Sequence, residues 1–196
     1  MWAEDLATLL TKPTDAPGLG GRDAKTLAAS LLQTALNPDS SGQSANFEPP
    51  IEILELNGPL QLYRMYDGVH STACGNWWIE GDILRQMVTV ASRQKSFDAY
   101  DRQAFTLKLM RSAVCVHPGW TNYSDIARLD LAHGRGVPAI KGRASPRALG
   151  MSPSEIERVL GQLSLPGEVQ YFIPSAFIKP ILVQKVQRNS PAWPFY

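Results

Sequence analysis

Pro166-Gly167-Glu168-Val169-Gln170-Tyr171-Phe172-Ile173-Pro174 reads as a short strand, fenced by a Pro-Gly turn at one end and a proline at the other, with β-formers between. Period two puts Val169, Tyr171 and Ile173 on one face and Glu168, Gln170 and Phe172 on the other. Two long polar side chains beside an aromatic suit neither an ordinary core face nor an ordinary wet one. They suit the wall of a site; the competing reading is an edge strand whose polar side meets water. Upstream, Ser152-Pro153-Ser154-Glu155 sets Ser at a helix cap, Pro in the first turn and Glu closing a capping box. The stripe Ile156, Val159, Leu160, Leu163 then carries that helix to the strand. A last strand over Pro180 to Val186 and the aromatic tail Trp193-Pro194-Phe195-Tyr196 follow.

Working back toward the N-terminus, the pattern alternates between short strands and helices. Ile126 to Ala132 and Val137 to Ala144 are strands; Asp98 to Val114 is a helix with Ala104, Leu107, Leu109 and Met110 as its apolar stripe. Asp82 is placed to cap a helix through Ile83, Met87, Val90 and Ala91. Leu60-Gln61-Leu62-Tyr63-Arg64-Met65-Tyr66 alternates so that Leu60, Leu62, Arg64 and Tyr66 point one way, and before it Ile51, Ile53 and Glu55 share a side. Residues 1–50 hold two helical pieces, Trp2 to Lys12 and, capped by Asp23 and stopped by Pro38, Leu27 to Leu36; a linker-like stretch ends in Pro49-Pro50. Six or so short strands with inserted helices predict an α+β fold of small antiparallel sheets rather than regular βαβ winding. The expected organisation is a helical lead-in and linker over 1–50 and a main domain over 51–196.

At 196 residues, with 44% hydrophobic residues, the chain is long enough for one well-packed domain. Its 19 Lys plus Arg against 18 Asp plus Glu give a net +1, without the basic field nucleic-acid binders use. No run approaches a bilayer span, and the N-terminus lacks a basic segment followed by an apolar one, the pattern of a signal peptide. Cys74 and Cys115 belong to no Cys-x-x-Cys pair or Cys/His set, which argues against a metal site; one disulfide and two buried thiols both remain open.

No elbow, phosphate loop, zinc motif or dinucleotide fingerprint is present. What remains is scattered over separate strands: Arg64, the Trp77/Trp78 pair, and Glu168 with Gln170. An Arg fixed on a strand is a fork for phosphate, or it snorkels. Adjacent tryptophans on a strand face opposite sides, so core packing accounts for one more easily than for both.

The order Leu62-Tyr63-Arg64-Met65-Tyr66-Asp67-Gly68, Gly75-Asn76-Trp77-Trp78, Val114-Cys115-Val116, Gly142-Arg143-Ala144-Ser145-Pro146 and Leu165 to Pro174 resembles the C-terminal toxin domains of bacterial polymorphic toxin systems with an ADP-ribosyltransferase-like fold. It is also similar to necrotizing-toxin-type NAD glycohydrolases. The resemblance covers roughly residues 60–188. It implies an NAD-consuming toxin or effector, with NAD as substrate and no bound cofactor. Such a protein is secreted or delivered into a target cell's cytoplasm, and a cognate immunity protein plugs its cleft. By the same resemblance Arg64 binds the diphosphate with Tyr66 among the substrate contacts, Trp77 or Trp78 stacks on nicotinamide, and Gln170 hydrogen-bonds the ribose.

These residue types suit the chemistry, since splitting NAD passes through an oxocarbenium-like state that needs the pyrophosphate gripped and the ribose steadied. A neutral amide at 170 cannot serve as base for an acceptor, which favours hydrolysis by water. Glu168, on the same face, keeps open the alternative of mono-ADP-ribosylation of a macromolecule. A non-enzymatic interaction module is the third reading, and its discriminator is whether Arg64, one Trp and Gln170 line a common cleft. His70, His117 and His133 are candidates for a further polar contact, each with a plain loop or core-edge reading beside it.

Overall fold

The computed structural model describes residues 2–11, 23–38, 40, 44–67, 73–96, 98–115, 125–132, 136–146, 154–155, 167–178 and 182–186. Local chemistry sets the helices. α1 spans Trp2–Thr11 and α2 Ala24–Leu36. Asp23, in extended conformation, takes the backbone N–H of Thr26 at 2.8 Å and its hydroxyl at 2.6 Å, so it caps α2 as its position predicts. At the other end Asn37 turns left-handed (φ 43°) and returns its N–H to the Gln33 carbonyl, just ahead of Pro38. α3 is Gly81–Ser92 and α4 Ala99–Ala113, the latter capped by Asp98 on the Asp101 N–H. For α3 the expected cap is displaced. Glu80 holds the extended position without a side-chain cap, while Asp82 lies in the first turn and pairs with Arg85.

Among the described residues there are seven strands, against the six or so expected: β1 Phe47–Leu56, β2 Leu60–Tyr66, β3 Trp77–Glu80, β4 Asp125–Leu131, β5 Val137–Ala144, β6 Val169–Phe172 and β7 Val183–Val186. β1 begins before the expected Ile51, because an irregularity between Glu48 and Glu52 absorbs Pro49-Pro50 within the strand. The boundary expected at residue 50 therefore falls inside β1. β6 is not an edge strand; the order is β1-β5-β6-β3-β2-β4-β7, all neighbours antiparallel. The fold is α+β with an antiparallel sheet.

β3 is the corner of that sheet. Its first two residues pair with β6 (Trp77 with Phe172, Trp78 with Tyr171) and its last two with β2 (Ile79 with Tyr63, Glu80 with Leu62). A short link shows how far the sheet folds back: only residues 57–59 join β1 to β2, a reach of about 15 Å between Leu56 and Leu60. On a flat sheet those strands, four spacings apart, would be separated by about 19 Å. The two half-sheets accordingly turn the same face inward.

That inner face is the main core: Leu62, Tyr66, Trp78, Ala127, Leu129, Ala139, Tyr171 and Ile173, with Leu56 and Val137 from the far edge. The outer face carries two further cores. α1 and α2 cover Phe47, Ile140 and Phe172 through Leu6, Leu10, Ala28 and Leu32. α3 and α4 cover Met65, Ile79 and Ile126 through Ile83, Met87, Leu109 and Met110. The N-terminal helices are thus packed onto the sheet and share a core with it. Of the helix expected after Ser152, Ser154 and Glu155 are described and are helical; the rest lies outside the described residues.

Candidate functional site

β2 and β3 part company after the Tyr63–Ile79 pair, and Arg64 fills the gap between them. Its alternation aligns it with Leu62 and Tyr66 on the inner face, opposite Ala127 of β4. The guanidinium Nη1 donates to the Trp77 carbonyl at 3.2 Å, taking the place of the ladder bond that β2 would otherwise supply. The group lies against Gly75, whose missing side chain leaves the room it occupies. Arg64 is half-buried, so it is neither a plain snorkelling surface residue nor a sealed one.

Around it the ends of β2, β3 and β4 gather further polar groups. Tyr66 faces Asp125 across the strand pair. Burial raises the Tyr66 hydroxyl above its ordinary 10, with the Asp125 carboxylate and the Cys74 sulfur adding to the shift. Asp67 follows in the chain and is itself buried. Asn76 accepts the Ser175 N–H at 2.8 Å through its side chain and the Ile173 N–H at 2.7 Å through its backbone. A cation, a phenol, a carboxylate and, in the Asn76 turn, an amide thus lie at one end of the inner face, with the buried Asp67 next in the chain. Of these the Arg64 guanidinium is the group that can take an anion.

The other expected site residues are elsewhere. Trp78 is on the inner face but 1% exposed, with its indole N–H donating to the Gly75 carbonyl at 2.8 Å; it has no surface left for a ligand. Trp77 points to the outer face, between Phe47 (centroids 5.3 Å) and Phe172 (5.1 Å, edge-on). Gln170 is also outer, opposite Gly142, where the missing Cβ makes room for the Phe47 ring. Its amide donates to the Asn46 carbonyl at 3.3 Å, and the residue is 6% exposed. Glu168 precedes β6, half-buried, its backbone tied to Ala113 and Ala144. Arg64, a tryptophan and Gln170 therefore do not line one cleft: Arg64 and Trp78 face inward, Trp77 and Gln170 outward. The physical reason is register, because the pairs Leu62–Glu80 and Trp78–Tyr171 put Tyr171, not Gln170, on the face of Arg64. His70, His117 and His133 lie outside the described residues.

Sequence reasoning passed over the turn Gly75-Asn76 as a structural element, and over Asp125 and Glu80. Glu80 accepts the Tyr171 hydroxyl at 2.5 Å, and Lys141, 5.9 Å above the Tyr171 ring, pairs with Glu52 at 3.8 Å. The signal for Asn76 was its place directly ahead of the tryptophan pair; for Asp125 and Glu80 the contacts are non-local and left none. Both cysteines are free, Cys115 buried and Cys74 half-buried. Among the described residues no group of three His, Cys, Asp or Glu is arranged to hold a metal ion, and no helix is long and apolar enough to cross a membrane. In comparisons with protein families, curated proteins and solved structures, nothing matches the chain.

Proposed function

We propose that the protein is an NAD-consuming toxin or effector domain, an ADP-ribosyltransferase-like version of its α+β architecture that hydrolyses NAD to nicotinamide and ADP-ribose. The observation that carries the reading is Arg64, a half-buried guanidinium held at a carbonyl where two strands separate, with Tyr66 beside it. Such a fork suits the diphosphate of a dinucleotide. In the reaction the bond between ribose C1′ and the pyridinium nitrogen breaks, its electron pair stays on nicotinamide, and a water oxygen bonds to C1′ and releases a proton to solvent. Arg64 and Tyr66 are the substrate contacts of this reading. Gln170, Trp77 and Trp78 pack within the sheet and are not substrate contacts in this reading. Glu168 belongs to the transferase alternative, and an immunity protein covering the Arg64 end of the sheet is the partner that a free NAD-hydrolysing activity calls for.

The separation of Arg64 from Gln170 favours a second reading, an interaction module without chemistry. One assay divides them. Purified protein incubated with NAD should release nicotinamide, and Arg64→Ala should abolish the release. Label found on a macromolecule rather than in free ADP-ribose would turn the reading to transfer; an inert wild-type protein would leave the interaction module.

A further inference from the structure

The Arg64 guanidinium rests where a side chain on residue 75 would begin. A Cβ built on Gly75 would overlap the guanidinium carbon and two of its nitrogens. One edge of the group is pinned by the Trp77 carbonyl. The turn beneath it is braced from three sides. The Gly75 carbonyl takes the Trp78 indole N–H at 2.8 Å, the Asn76 carbonyl takes the Ile173 N–H at 2.7 Å, and the Asn76 side chain takes the Ser175 N–H at 2.8 Å. Two of the bracing residues are core: Trp78 is 1% exposed and Ile173 0%. A flexible arginine is thereby laid flat on a rigid piece of backbone, with its rotamer freedom spent during folding rather than during binding.

We infer that Gly75-Asn76 is a seat that orients the Arg64 guanidinium for a nucleotide diphosphate, which makes Gly75 and Asn76 positioning residues. The inference rests on the reading of Arg64 as the diphosphate contact. The plainer role, Arg64 merely closing a gap in the ladder, predicts that changes at the seat alter stability and nothing else.

A double-mutant cycle separates the two, with ADP as the titrated probe and nicotinamide release from NAD as the second readout. Gly75→Ala should weaken ADP binding about 10- to 100-fold, the loss of one charge-assisted contact. In an Arg64→Lys background the same change should alter ADP affinity less than about 2-fold, since a slender ammonium has no plane to seat. Asn76→Ala, which keeps the glycine and loosens only the brace, should raise KM for NAD with kcat unchanged, and it stands in if Gly75→Ala does not fold. ADP binding that depends on Gly75 without nicotinamide release would sink the hydrolase reading and keep the seat. Turnover and ADP affinity indifferent to Gly75→Ala and Asn76→Ala, or equal losses in both backgrounds, would overturn the seat alone. A wild-type chain that binds no ADP would overturn the seat together with the reading of Arg64 as diphosphate contact, and one that also releases no nicotinamide would overturn the hydrolase reading as well.

Discussion

Gln170 spends its amide on the chain's own backbone. Buried opposite Gly142, it joins the Asn46 carbonyl, which also accepts the Ser145 N–H, so β6, β5 and the approach to β1 meet at one oxygen. Gln170→Ala should cost about 2–3 kcal/mol of stability in urea unfolding, combining a lost buried hydrogen bond with a small void. Gln170→Glu should cost more at neutral pH, because a carboxylate there would face a carbonyl oxygen. The alternation within this strand was legible from Val169 to Ile173. Which of its faces met Arg64 was not, because that depends on the pairing of β3 with both neighbours, and a shift of one residue would reverse it. The Cys115 thiol is a second residue-scale case: burial, then the Glu48 charge, pushes it from 9.0 up to about 12. Tyr171 is driven above its ordinary 10 by burial and then by Glu80. Both groups are neutral when protonated, so their contribution is fully present below the unfolded values and is lost as pH rises toward the folded ones. The urea midpoint should therefore fall between pH 9 and 12, starting later for Cys115→Ala.

At the scale of elements, ends written in side-chain chemistry were read correctly and ends written in tertiary contacts were not. Asp23 and Asp98 cap their helices because a short carboxylate reaches the third N–H along; Asp98→Ala should lower stability by about 1 kcal/mol, measured by denaturant titration. Asp82 carries the same sequence signal, yet β3 runs directly into α3 and leaves Glu80 at the cap position, its carboxylate turned to Tyr171 instead. The start of β1 was hidden by Pro49-Pro50, which reads as a breaker until the irregularity against β5 is seen. α1 and α2 read as a helical lead-in, and their pattern leaves open whether they pack on the main domain or on a partner, because amphipathic helices do not name what they cover; they cover the sheet. Leu6, 0% exposed against the sheet, tests that point: Leu6→Ala should cost about 2–5 kcal/mol and shift one transition, not split off a separate early one.

Over the whole molecule, the arrangement is a bent sheet with one core inside its fold and two cores under helix pairs outside. Composition and period gave the α+β class; the bend at β3 came from pairings among residues far apart in sequence, which no local pattern encodes. The bend also brings polar groups together on the inner face, Arg64 with Tyr66 and Asp125 at one end and Glu80, Tyr171, Lys141 and Glu52 in a second group. The adjacent tryptophans now have a use. Trp77 senses the outer core beneath α1 and α2, and Trp78 the inner core between the half-sheets. With the other three of the chain's five tryptophans replaced by phenylalanine, a further Trp77→Phe or Trp78→Phe change would leave a single tryptophan to excite selectively over the tyrosines. Two emission spectra from neighbouring positions would then report, in real time and without added dye, whether the two layers of the molecule come together at once or in turn.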